Sequence, residues 1–183
     1  LISGKVICAR LKQRIREAAT VPPYFAYLTK RFKWSPSTTN LIDWPAYTQA
    51  IGRFPHQRTQ ITKLCNDLLP TARWANRYEL LTTEHCLHCG ETEDRDHILQ
   101  CSFAPRQKWR SSLLSLLRKA HDNDASDHYL LDILISGLDC WFKGIHLDTS
   151  RFPRRYQQLI SEQSSIGWRQ LFNGHLSTQW RIK

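Results

Sequence analysis

The chain has 183 residues, 41% of them apolar, and carries 26 Lys and Arg against 16 Asp and Glu, a formal net charge of +10. That length and apolar content suffice for a core, and 7 Trp, 6 Tyr and 7 Phe beside only 7 Gly exclude a low-complexity or unfolded chain. No apolar run approaches the roughly 20 residues of a membrane helix and no signal peptide opens the chain, so a soluble intracellular product is expected; the start at Leu1 and the absence of Met predict a piece of a longer polypeptide.

Val6, Ile7, Leu11, Ile15, Ala18 and Ala19 recur at helical spacing, with Lys12, Arg14 and Arg16 on another face. This predicts a basic amphipathic helix ended by Val21, Pro22 and Pro23. A second helix over 24–33 should close at Ser35 and Pro36, because the residue before proline is pushed out of the helical region. Asp43-Trp44-Pro45 reads as a helix start, with a stop near Gly52 and Pro55. Ile61, Leu64, Cys65, Leu68 and Leu69 mark another helix, stopped by Pro70, in which Cys65 reads as a small core thiol.

Trp109, Leu113, Leu114, Leu116 and Leu117 predict a helix from about Pro105 to Ala120, followed by a polar break at 121–127. The stretch 129–142 is apolar nearly all round and reads as a central buried helix, with Cys140 in its core. The segment 151–172 reads as one further long helical segment stopped by Asn173 and Gly174. Period-two alternation is nearly absent. The expected fold is therefore all-α, an irregular helical domain with one inserted zinc-binding loop: a basic helical lobe over 1–80, the loop over 81–104, and a helical lobe over 105–183 packed with the rest as one unit.

Charge is placed unevenly. The first 80 residues hold 13 basic and 4 acidic residues, and those after Cys101 hold 12 and 7. Between them, Arg95 stands alone against Glu84, Glu91, Glu93, Asp94 and Asp96. Polyanion contacts are therefore expected from the helices and not from this acidic island.

Three of the six cysteines crowd into that island, in Cys86-Leu-His-Cys89-Gly-Glu-Thr-Glu-Asp-Arg-Asp-His97-Ile-Leu-Gln-Cys101. Crowding of this kind reads as a metal site, since disulfide scaffolds spread their cysteines through the chain. In a CxxC turn, backbone amides point at two thiolates sharing one ion, and Gly90 allows the positive φ the turn needs. His97 and Cys101, four apart, fall on one helix face. Three thiolates and one imidazole close a tetrahedral shell, which predicts one structural zinc ion; His85 and His88 are the alternative imidazoles, His88 being expected to point outward. The His-x-Glu and Pro-Cys-x-x-Cys of zinc deaminases are missing.

At these residues the chain resembles the zinc-binding region found downstream of the reverse transcriptase domain in eukaryotic non-LTR retroelements. That pattern, two cysteines separated by two residues, a Gly, an acidic stretch, then a histidine and a cysteine, is matched by Cys86, Cys89, His97 and Cys101, with a His-to-Cys spacing one residue shorter than in many members. The flanks are similar too, in Ile42-Asp43-Trp44, Phe54-Pro55-His56-Gln57-Arg58 and Ile166-Gly167-Trp168-Arg169-Gln170-Leu171-Phe172 with Ser177 and Trp180. The resemblance implies a carboxy-terminal accessory domain, in one polypeptide with a reverse transcriptase and in the nucleus, that helps the polymerase hold template or target. The chain contains no Asp-Asp pair for a polymerase centre and no Pro-Asp after Cys101 for a nuclease, so a non-enzymatic domain is expected.

Basic side chains interleaved with aromatics suit RNA or DNA. Arg53, His56, Arg58 and Lys63 before the metal segment, Trp74 between Arg73 and Arg77, and Arg106, Lys108 and Arg110 after it are the candidate contacts, the other tryptophans being assigned to core packing. A zinc-stabilised protein-interaction module and an inert retroelement remnant are the competing readings.

Overall fold

The computed structural model describes residues 11–65, 68–122 and 127–182. The protein is all-α: among the described residues, extended pairing is limited to isolated bridge residues, such as the antiparallel pair His85 and Thr92. No described helix is long and apolar enough to cross a membrane. The chain divides into two compact units, Leu1–Ile42 and Asp43–Lys183, so the boundary falls inside the stretch 1–80.

In the first unit, α1 (Leu11–Phe32) runs through Pro22 and Pro23 where two helices were expected. Each proline removes one backbone donor, from the carbonyls of Ala18 and Ala19. Both residues are exposed, so water can serve those carbonyls and the helix continues. It ends as expected: Lys33 adopts φ 55 and α2 (Thr38–Leu41) follows. Leu28, Trp34 and Ile42 are buried in this unit, and the Phe32 and Trp34 rings pack at 4.8 Å. The predicted positions Val6 and Ile7, and Cys8, lie outside the described residues.

The second unit opens with α3 (Trp44–Gly52), started by Asp43, whose carboxylate accepts the Ala46 amide at 2.9 Å with Pro45 in the first turn. Helix α4 (Arg58–Cys65) stops before Leu68, which is exposed, and is shorter than its apolar pattern predicts. Helix α5 (Ala72–Arg77) had no periodic signal; Thr71 caps it by accepting the Trp74 amide. Then come α6 (Arg95–Gln100), α7 (Ala104–Asp122) and α8 (His128–Lys143).

The expected long segment 151–172 is instead broken. Two 3-10 turns lead into α9 (Gln157–Ile166), Gly167 at φ +102 ends it, a 3-10 segment Trp168–Asn173 follows, and α10 (Gln179–Ile182) closes the unit. Helical spacing survives such breaks because short turns keep nearly the same periodicity, whereas a positive φ at glycine does not announce itself in an apolar pattern.

Helix α8 is buried on two faces, as its composition predicts. Ile133 joins Phe152, Tyr156, Leu159 and Ile160 in one cluster, while Ile135 and Leu138 join Leu114 of α7 in another. A side chain at Gly137 would overlap the Trp168 ring, so the glycine allows the 3-10 segment to lie against α8. Cys140 is half-buried, and Trp109, assigned to the core from its neighbours, is 46% exposed. It lines an open apolar groove with Ile98, Leu99, Phe103, Pro105 and Arg106.

Candidate metal centre

The segment before α6 folds on its backbone and has almost no apolar interior. The Cys86 amide donates to the Glu91 carbonyl at 2.7 Å, the Glu93 amide to the Glu84 carbonyl at 2.8 Å, and the Gly90 amide to the Cys86 carbonyl at 2.9 Å. Gly90, at φ +78 with open space around it, is required by its backbone angle alone. Asp94 caps α6, its carboxylate accepting the His97 amide at 2.8 Å. Capping places His97 in the first turn, and Cys101 follows at the helix end on the same face.

Cys86, Cys89, His97 and Cys101 bring their ligand atoms within 4.8 Å of one another. Sγ of Cys86 lies 4.0 Å and Sγ of Cys89 3.8 Å from Sγ of Cys101, and Cys89 Sγ is 3.2 Å from His97 Nε2. These separations are far beyond the ~2.05 Å of a disulfide. They approach the edges of a tetrahedron about an ion bonded to sulfur at about 2.3 Å, which puts sulfurs about 3.8 Å apart. The four residues can hold a metal ion.

Their surroundings suit that role. Burial alone would raise the Cys86 thiol, and is the largest influence on it; the His88 amide, the His97 side chain and the Cys89 amide outweigh it and bring the thiol down to about 7. At Cys89 the Glu91 amide acts most strongly and favours the thiolate, yet burial and the neighbouring Cys101 and Cys86 sulfurs leave its value raised. A cation bound here would share the charge of the crowded thiolates. Behind the imidazole, Glu91 Oε2 sits 3.3 Å from His97 Nδ1, while Nε2 faces the sulfurs. His85 and His88 stay outside the cluster: both are exposed, and His88 stacks on Phe103 with centroids 3.8 Å apart.

Acidic residues that looked like a featureless island turn out to be joints. Glu93 accepts the Ala72 amide at the start of α5 at 3.1 Å and pairs with Arg106 of α7 at 3.5 Å. Arg95, the lone base of the segment, is buried and donates to Asn173 Oδ1 at 2.7 Å, and Asp96 pairs with Arg169. Asn173 in turn donates to Gln170 Oε1 at 2.6 Å, an oxygen that also lies 3.2 Å from His175 Nδ1. His175 packs against the rings of Trp44 and Tyr47, which also touch each other, and burial, helped by Arg95, holds it down to about 4. Thus α6 and its C-cap turn His97 and Cys101 to the metal cluster, while Arg95 enters a buried polar network. The isolated Arg95 was the one signal of this in the sequence.

No family model, curated protein or solved structure matches this chain.

The candidate nucleic-acid residues are divided by the fold. Arg53, His56, Lys63 and Lys108 are exposed, while the side chain of Arg58 lies outside the described residues. Trp74 is half-buried and packs on Tyr78 at 4.7 Å, where an open ring was expected. Arg106 donates to the Ile98 carbonyl at 3.1 Å, and Arg110 to the carbonyls of Leu99 and Cys101, both at 2.9 Å. These two guanidiniums serve the open carbonyls at the end of the ligand helix.

Proposed function

We propose that the protein is a non-catalytic accessory domain, held by one structural zinc ion on Cys86, Cys89, His97 and Cys101, that binds RNA or DNA for a reverse transcriptase in the same polypeptide. The observation that carries the metal reading is the closed four-donor shell, built from three sulfurs and a carboxylate-oriented imidazole. Zinc bound there would cross-link the CxxC turn to α6 and leave no coordination position for a substrate. Support for the retroelement reading comes from the motif flanks. Asp43, whose amide donates to the Leu176 carbonyl at 2.9 Å, also accepts from Arg181 at 2.6 Å, and Gln170 belongs to the network reaching α6, so motifs far apart in the chain form one structural unit.

The net charge of +10 supports a polyanion ligand. Full chain titrated against labelled single-stranded RNA, duplex DNA and an RNA–DNA hybrid should show log affinity falling linearly with log salt. Replacing Arg53 and Lys63 by Ala should flatten that line by roughly 0.7 to 0.9 for each phosphate no longer neutralised. Absent or salt-independent binding would overturn the nucleic-acid reading. The groove beside α6 and α7, with Trp109 exposed at its edge, would then favour a protein-interaction module.

A further inference from the structure

We infer that Arg151, Arg154 and Arg155 form a binding surface for the phosphate backbone of nucleic acid, carried on the two 3-10 turns before α9 and separate from the metal segment; the inference rests on the nucleic-acid reading above. Three arginines occur within five residues here, and all three are exposed. The backbone beneath them is tightly tied. Asp148 accepts the Ser150 amide at 3.0 Å and the Ser150 hydroxyl at 2.7 Å, and Gln157 Nε2 donates to the carbonyls of Thr149 at 2.8 Å and Phe152 at 3.2 Å. Phe152 and Tyr156, interleaved with the arginines, are anchored in the core at 7% and 0% exposure.

Those aromatic anchors also steer the cations. The Arg151 guanidinium lies 5.8 Å from the Phe152 ring, and that of Arg155 lies 4.7 Å from Tyr156 and 6.0 Å from Tyr129. Guanidiniums held against rings lose less freedom on meeting a phosphate and present a planar fork to it. The rings themselves are buried or half-buried, so the surface should contact phosphates and leave bases unread. Nearby carboxylates offset only part of the charge: Asp127 pairs with Arg155 at 3.5 Å and accepts the Tyr156 hydroxyl, and Asp148, which accepts from Ser150, also feels the charge of Arg151, leaving three cations against two anions. In the metal segment the balance is reversed, with five acids to one base, and Arg106 and Arg110 are engaged with carbonyls.

The test is anisotropy of full chain with a labelled RNA 20-mer and a DNA duplex of equal length, over several salt concentrations. R151Q/R154Q should flatten the slope of log affinity against log salt by roughly 1.4 to 1.8, two phosphates at 0.7 to 0.9 each, for any base sequence. R151K/R154K, which keeps the charge, should restore the parent slope, and both variants should keep the parent melting temperature and metal content. A Gln variant that binds like the parent at every salt, while replacement of Arg53 and Lys63 weakens binding, would overturn this surface and spare the wider reading. Loss in the Lys variant equal to that in the Gln variant would also overturn it, as would arginine-dependent binding to anionic phosphatidylserine vesicles without arginine-dependent binding to nucleic acid. No binding by the parent would sink both.

Discussion

The metal segment and the helices α8 and α9 lie in one compact unit but are held by different forces. In α8, α9 and the 3-10 turn that leads into α9, Ile133, Tyr156, Leu159 and Ile160 are almost wholly removed from water, and burial of apolar area holds the backbone. In the segment 84–101 the buried groups are two cysteines, Arg95 and His97. Such groups are costly to bury unless each finds a partner, so this region is ordered by caps, ion pairs and ligation. One part of the unit should therefore be able to lose its order while the other keeps it.

Removing the metal should separate the two regions most visibly. Purified full chain is expected to hold about one zinc ion, and C89S to lose it, as read by elemental analysis. Structural zinc contributes on the order of 10 kcal/mol to the folding of small metal-dependent domains, so a chelator should abolish amide-exchange protection over 84–101. Protection in α8 should persist. Two ions per chain, or unchanged exchange after proven metal loss, would remove the distinction drawn here.

The opposite perturbation strikes the core. Ile133→Ala deletes a side chain of 0% exposure and should cost about 2 to 5 kcal/mol in denaturant unfolding, while the variant that remains folded keeps its zinc. Loss of metal from the folded variant would mean that the two regions stand or fall together.

His175 probes the seam between them, because it belongs to the network that reaches α6 through Arg95. Its folded-state value, lowered to about 4 from 6.5 by burial first and Arg95 second, means that between these two values the unfolded chain binds a proton that the folded chain refuses. Stability from this group is therefore complete above about pH 6.5 and falls as pH drops toward 4, by at most about 3 kcal/mol. Metal ligands also protonate in acid, so the informative quantity is the difference between parent and His175→Gln across pH 4 to 7. Parallel stability curves for the two proteins would show that His175 does not set the acid limb.

What could be read before folding was whatever depends on neighbours in the chain. Helical periodicity revealed α7, start and stop signals α3, and an unbroken apolar stretch α8, all of them local features of the chain. The ligand spacing picked out the four residues that meet, since a CxxC turn and an i, i+4 helical pair are both local geometries. Other features had no local sign. Whether Arg106 and Arg110 meet phosphates or carbonyls depends on α7 packing beside α6. The continuation of α1 through Pro22 and Pro23 depends on water reaching the carbonyls of Ala18 and Ala19.

The helical class, the basic character of the chain and the identity of the Cys/His cluster thus followed from the amino-acid sequence alone, each being a property of composition or of residues close together in the chain. Which charges stay exposed was decided only by tertiary structure. Hydrogen-bond partners such as Asn173 for Arg95 are 78 residues apart in the chain, and only packing, by excluding water from both, makes their pairing obligatory.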